Sequence, residues 1–506
     1  MYGSNPVTRI MNKNKVIIIG AGLAGLECAY ILAKHGLEVT VLEHNTQAGG
    51  CLQSFRRKGC TFDTGFHYIG GLREGEILHP LFQYFHLLDL PWKQLDPENA
   101  DEVFIGDRHF ALANGNEAFV ETLAADFPDQ REGLQQYVQL LTTAGEHVYD
   151  AFTPREADLT RSLFAVPAWK WMEETISDPL LRKVLSGASV KMELRKETLP
   201  LYAYAQANNA FLQSTWRMEG GGEQIISSLV RSLEDMGGQV LTGKTVTGLV
   251  EEDGRITRVM VGDEAYEADW VISSMHPAAT LDLVKDSKCL RKIFRKRIAG
   301  LANTAGMFTV NIKLKEGALP YRNSNLYLHS EEAPIWDGRP DSLESILVSY
   351  GVPEGWGGKA NKDKSGCPAA RTIDLLTPMS WEKVAPWKDG KDEGYTAMKE
   401  EMATRCIARA GHYIPGLEEA VEEYWTSTPL TYQRYTMIPE GSAYGIRKDF
   451  GNVMGTILSP KTPVSNLLLT GQNLNMHGVQ GVSMTSILTT GMILGLDTVR
   501  KDILGK

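Results

Sequence analysis

Residues 15–25 read KVIIIGAGLAG, and the fold turns on how that stretch is read. Val16 to Ile19 are four consecutive apolar residues, the pattern of a parallel strand buried on both faces. Gly20, Gly22 and Gly25 follow as G-x-G-x-x-G. In such a turn the first glycine permits the reversal, the second lets the backbone approach a pyrophosphate, and the third lets the next helix pack on the strand. Leu26–His35 carries apolar residues at helical spacing, Gly36 ends it, and Glu38–Leu42 reads as a second strand. Leu23 and Ala24 lie within the turn, where free N–H groups and the positive end of the helix dipole favour phosphate. The hexapeptide alone is a weak signal, because glycines crowd ordinary turns. Its context strengthens it: Glu43 stands 18 residues after Gly25, where a carboxylate can accept both ribose hydroxyls.

The bulk numbers narrow the class. A chain of 506 residues is too long for one core, so two connected domains are expected. The formal net charge of -10 argues against nucleic acid, which wants a basic face. Cysteines at 28, 51, 60, 289, 367 and 406 include no CxxC pair, so no zinc site or dithiol is encoded locally. With no HExxH or Walker motif either, no metal is expected. Scattered thiols and an N-terminus without an apolar h-region imply a cytoplasmic chain, held at most peripherally on the inner face of a membrane.

Which dinucleotide is expected follows from a second loop and a third. Gly49 and Gly50 can bring the chain back against the pyrophosphate, which extended FAD needs and NAD does not. Near the end, Leu467–Thr470 runs into Gly471, Gln472 and Asn473 and then a helix start at Gly478 and Val479. That junction suits a ribityl chain and an isoalloxazine, whose reduced anion the helix dipole would favour. The expected class is α/β: a Rossmann-type FAD-binding domain from residues 13–73, 215–285 and 455–506, with an inserted α+β substrate domain from 74–214 and 286–454. Residues 1–12 read as a loose extension, 74–196 as largely helical, Thr245–Glu251 as a strand, 354–366 as a loop, and Val482–Arg500 as one helix. No second G-x-G-x-x-G appears, so NAD(P)H or another external donor or acceptor would have to reach the flavin through the cleft or on a partner.

These motifs, with residues 62–68 (FDTGFHY), 220–222 (GGG) and 428–431 (TPLT), resemble the carotenoid isomerase, retinol saturase and phytoene desaturase group of FAD oxidoreductases nearly end to end. The resemblance implies a non-covalent FAD, a long apolar cleft at the flavin, and an adenine contact from the backbone of Val246. Two positions depart from many relatives: Cys51 stands where arginine or serine is common, and Asn473 where aspartate is. Both weaken any transfer of a specific substrate.

Candidate chemistry falls to His67 and His477, each beside a glycine near the expected flavin, and each with the alternative of a buried histidine bonded to backbone. Asp63 reads as a turn cap. Tyr432, Tyr435 and Tyr444 either line the cleft or fill the core. The expected function is saturation, desaturation or isomerisation of a double bond in an apolar polyene or isoprenoid. Its rivals are an amine oxidase-like enzyme and a non-catalytic flavin-bound carrier of apolar ligands. An insoluble substrate would call for peripheral membrane contact, for which Ile77–Leu88 and Leu163–Met172, followed by Arg182, Lys183 and Lys191, are the candidate stretches.

Overall fold

The apolar run Val16–Ile19 is at most 4% exposed and forms the middle of a five-stranded sheet. In chain order its strands are β1 (Lys15–Ile19), β2 (Glu38–Leu42), β3 (Gln239–Leu241), β4 (Trp270–Ser273) and β5 (Leu467–Leu469). They lie side by side as β3-β2-β1-β4-β5, all parallel, with Lys15 opposite Glu38 and Val16 opposite Trp270. The computed structural model describes residues 14–149, 162–356, 360–363 and 366–505. The extension read at 1–12 lies outside the described residues, as does part of the loop read at 354–366.

Helix α1 (Leu23–Lys34) is buried from Leu23 to Ala33, because it lies between this sheet and two further helices, α2 (Glu223–Asp235) and α4 (Gly478–Leu494). The long C-terminal helix expected over Val482–Arg500 is instead two, since Gly495 takes φ +88 and separates α4 from a helix over Leu496–Leu504.

A second sheet has seven strands: Val421–Ser427, Gly306–Leu314, Thr372–Met379, Ser345–Tyr350, Asn325–His329, Asp101–Ile105 and Arg108–Leu112, in that order. Neighbours are antiparallel except Asn325–His329 beside Asp101–Ile105. The last two strands correct the helical reading of residues 74–196. Gly106 and Asp107 make a two-residue hairpin loop between Ile105 and Arg108, and Gly106 takes φ +57. The buried acids at the start of the first strand are matched: Asp101 accepts from Asn325 Nδ2 at 2.7 Å, and Glu102 from Arg322 at 3.0 Å and His109 at 2.9 Å. Thr245–Glu251 is also shifted, the strand running over Gly248–Glu252.

Both stretches read as membrane candidates turn inward. Ile77, Leu78, Leu81, Phe82 and Phe85 are buried, as are Phe164 and Met172. Their helical spacing serves the core, as such stripes commonly do.

One buried acid has a consequence for stability. Glu27, on α1, accepts from Ser483 Oγ on α4 at 2.6 Å, while its second oxygen has no partner among the described residues. Burial raises its pKa from 4.5 to about 8. The folded state therefore holds a proton that the unfolded state loses above pH ~4.5, and stability falls as pH rises from there to about 8. Glu27→Gln should flatten that dependence and stabilise the protein at pH 8 by on the order of a few kcal/mol, measured by urea unfolding across the pH range.

Candidate functional site

Because β1, β2 and β5 are parallel, the loops that follow them meet at one edge of the sheet. The first is the glycine turn. Gly20 takes φ +97 and donates to Leu42 O at 2.8 Å. A Cβ on Gly25 would lie 2.0 Å from Gly20 O, so only glycine lets α1 sit this close to the turn. Helix α1 begins at Leu23, three residues before the expected start. Its first bonded N–H is that of Leu26, to Gly22 O at 3.1 Å. The N–H groups of Leu23, Ala24 and Gly25 thus have no helical partner and are available to an anion.

Glu43 joins this turn to the second loop. It is 6% exposed, and its two carboxylate oxygens accept from Ala21 N and Asn45 N, each at 2.8 Å. Gly49 N donates to Ala21 O at 2.8 Å, so the Gly49–Gly50 loop lies backbone to backbone on the glycine turn. A Cβ on Gly22 would have Gly50 Cα as its nearest neighbour, at 3.9 Å. Lys244 N donates to Glu43 O at 2.7 Å and leads to Val246, which precedes the strand rather than lying in it. Among the described residues the backbone of Val246 makes no hydrogen bond to other backbone, which leaves it open to a planar base.

The third loop follows β5. Gly471 takes φ +96 and donates to Thr485 Oγ1 at 3.1 Å. Gln472 Nε2 is buried with no partner among the described residues. Asn473 turns its Oδ1 to Ile446 N at 3.1 Å. Lys448 pins the loop from beneath, donating to the carbonyls of Thr456, Asn473 and Leu474 at 3.1, 2.9 and 3.0 Å, and burial pulls its pKa down to about 7. Helix α4 then opens at Gly478, where a Cβ would meet nothing within 4 Å, with Val479 half-buried beside it. An unfilled helix N-terminus, a buried amide without a partner and a glycine-lined turn are what the pyrophosphate and ring end of a flavin dinucleotide need, and the residues fit that group.

His67 and His477 have different surroundings. His67 Nδ1 lies 3.6 Å from Asp374 Oδ2, and Nε2 is buried without a partner among the described residues. Asp374 is itself held by Asn311 Nδ2 at 2.6 Å, from the adjacent strand. Asp63 lies within electrostatic reach of His67 and Asp374. It accepts from Ser54 Oγ at 2.6 Å and Gly222 N at 2.9 Å, a capping role, and burial raises its pKa to about 6. His477 Nε2 donates to Lys191 O at 3.0 Å, and its ring packs on Tyr444 with centroids 4.6 Å apart. Burial lowers its pKa to about 4, so it is neutral near pH 7 and is the backbone-bonded histidine of the alternative reading. Asp374 had no local signal, since it lies 307 residues from His67 and is brought there by sheet register alone.

The three tyrosines separate. Tyr432 bonds Thr309 Oγ1 at 2.6 Å and Tyr444 donates to Val190 O at 2.5 Å, both half-buried, whereas Tyr435 is surface-exposed. Tyr444, Met192 and Glu193 form the wall shared by two cavities. One, of about 740 Å³, is lined by Val190, Leu194, Met307 and Ile335. The other, of about 440 Å³, is lined by Leu199, Ile446, Met476 and His477.

Known proteins match along most of this chain. All-trans-retinol 13,14-reductase of Homo sapiens is 26% identical over 530 residues, covering 96% of this chain and 86% of the relative. Prolycopene isomerase 2, chloroplastic, of an Oncidium hybrid cultivar is 23% identical, covering 85% and 74%. An oxidoreductase structure from Methanosarcina mazei superposes with a TM-score of 0.61 at 18% identity, covering 94% and 99%, which shows the α/β fold. The model of the flavin containing amine oxidoreductases matches residues 23–356, well over half of the chain, from the first turn of α1 through most of the seven-stranded sheet. The chain therefore belongs to the flavin containing amine oxidoreductase family.

Proposed function

We propose that this chain is an FAD-dependent oxidoreductase acting on carbon–carbon double bonds of an apolar polyene or isoprenoid. The turn Gly20–Gly25, with Leu23 and Ala24, holds the pyrophosphate together with Gly49 and Gly50. Glu43 takes the ribose and Val246 the adenine. Gly471, Gln472 and Asn473 hold the ribityl chain, and Gly478 and Val479 the ring end. In this reading the parallel sheet is the heart of a Rossmann-type domain assembled from residues 13–73, 215–285 and 455–506, and the seven-stranded sheet belongs to the inserted substrate domain. The binding is non-covalent, and no feature among the described residues singles out NAD(P)H as the external donor.

The observation that carries the substrate class is the wall of Met192, Glu193 and Tyr444 shared by two cavities, the smaller of which is lined by His477 at the open end of α4, with Met307, Leu194 and Ile335 lining the larger. Bound flavin supplies hydride exchange with carbon. The protein supplies the rest. Met307, Leu194 and Ile335 exclude water. Buried His67 holds or moves a proton at Nε2, with Asp374 setting the ring from the Nδ1 side. Relatives named as a retinol reductase and a prolycopene isomerase support the polyene reading. The amine oxidase reading draws on the family name and on the half-buried aromatic side chains Tyr432 and Tyr444.

The two readings separate in one assay. Chemically reduced enzyme is mixed without oxygen with an all-trans polyene alcohol or, separately, with a panel of primary amines added to oxidised enzyme. Flavin reoxidation with loss of polyene absorbance supports the proposal. Hydrogen peroxide release with amines in air, and no response to any polyene, overturns it.

Three variants test the parts. Gly22 has φ -76 and room for a Cβ, so Gly22→Val should fold normally. Its side chain would fill the gap above Gly50, and the protein should purify colourless and refuse added FAD. Glu43→Ala removes the ribose contacts together with the carboxylate that takes Ala21 N and Asn45 N, and should raise the FAD Kd by about 10- to 100-fold, read by fluorescence titration. His67→Asn should keep FAD and lower kcat by about 10²- to 10³-fold. An unchanged kcat would remove His67 from the chemistry.

A further inference from the structure

The strongest concentration of unmatched charge lies far from the glycine turn in sequence. Residues 285–297 read KDSKCLRKIFRKR, with seven cations and one acid in a chain whose net charge is -10. The segment ends in helix α3 (Lys292–Ala299). Its inner face is fixed by Ile298, 3% exposed, by half-buried Phe294, and by Arg295, which donates to the carbonyls of Leu281 and Val284. Its outer face is different. Lys285, Lys288, Arg291, Lys292, Lys296 and Arg297 are exposed, and none of them has an ion pair among the described residues. Amid these cations Ile293 is 74% exposed, and among the described residues only Met454 of the large apolar side chains is more exposed.

The position of this helix gives the patch its meaning. From α3 the chain runs through Ala302, whose carbonyl accepts from Arg447 N at 2.9 Å, and Asn303, which bridges to Ile446. Thr304, Ile446, Arg447 and Lys448 line the smaller cavity. A second exposed apolar residue, Met454 at 88%, is on the short helix Val453–Thr456, tied to the same rim through Lys448 Nζ and Thr456 O at 3.1 Å. A cationic helix with a protruding isoleucine and a short helix with an exposed methionine thus each join the rim of one cavity.

We propose that α3 docks this chain on an anionic phospholipid bilayer, with Ile293 entering the headgroup layer and the rim of the cavity turned toward the lipid. Lysine and arginine near an anionic leaflet are attracted within about a Debye length, ~10 Å, so the local patch governs rather than the negative total. Nucleic acid would reward the cations but not an exposed isoleucine at their centre. A bilayer rewards both. The purpose of docking, uptake of an insoluble substrate, rests on the polyene reading above. The binding itself does not.

The test is flotation of the flavin-loaded protein with vesicles of phosphatidylcholine alone or mixed equally with phosphatidylglycerol. Wild type should float with the mixed vesicles at low salt, not with phosphatidylcholine, and should release as salt rises. The triple variant Lys292→Glu, Lys296→Glu, Arg297→Glu and the single variant Ile293→Ser should keep their flavin content and each lower the bound fraction by about tenfold. Wild type that stays unbound overturns the proposal, as does a triple variant that floats equally well. So does binding to duplex DNA with none to vesicles, or a concentration-dependent dimer that Ile293→Ser dissolves. Enzyme that turns over a detergent-dispersed polyene yet never floats refutes the docking alone. Enzyme that floats but acts on no polyene refutes the substrate reading alone.

Discussion

The structure depends on two loops meeting backbone to backbone. Gly49 N donates to Ala21 O, and Glu43, buried at the end of β2, takes N–H groups from both Ala21 and Asn45. A side chain at Gly25 would collide with Gly20 O, and one at Gly20 with Ser274 Oγ at 2.4 Å. These close approaches bring α1 against the sheet with its first-turn N–H groups free, and they place a buried carboxylate beside the same gap. A gap that fits a dinucleotide follows from that arrangement without any residue that performs chemistry. The reactive groups come from other parts of the chain.

The parts of the fold legible in the sequence were those with short-range rules. Strand, glycine turn, helix and strand over residues 15–42 follow from apolar runs and from what glycine alone permits, and the helix missed its start by only one turn. Gly495 was overlooked because the apolar pattern continues across it, although a positive φ breaks the helix there. The hairpin at 101–112 was hidden in a stretch rich in helical spacing, and its acids Asp101 and Glu102 look exposed until Asn325, Arg322 and His109 arrive from elsewhere to match them.

The site was legible to the same extent. Each glycine and Glu43 could be named as a candidate because the pattern expected for phosphate and ribose recognition is local in sequence, and the structure brings the Gly20–Gly25 turn, Glu43 and the Gly49–Gly50 loop together. His67 could be named but not chosen over His477, since the choice depends on neighbours distant in sequence. Asp374 and Asn311 come from adjacent strands of the seven-stranded sheet, and Lys191 offers only its backbone carbonyl to His477. Burial then separates the two histidines: one faces a carboxylate with a nitrogen to spare, and the other is bonded to a carbonyl and driven neutral. The cationic outer face of α3 was visible as a run of letters, but its significance needed the exposure of Ile293 and its link to the cavity rim.

The most direct measurement is a crystal structure of the protein purified with its own flavin. The account predicts FAD with its pyrophosphate against the N–H groups of Leu23, Ala24 and Gly25, its ribose on Glu43, and its ring end at Gly478. A protein that crystallises without flavin, or with the ring turned away from Gly478 and the Met192–Tyr444 wall, would contradict it.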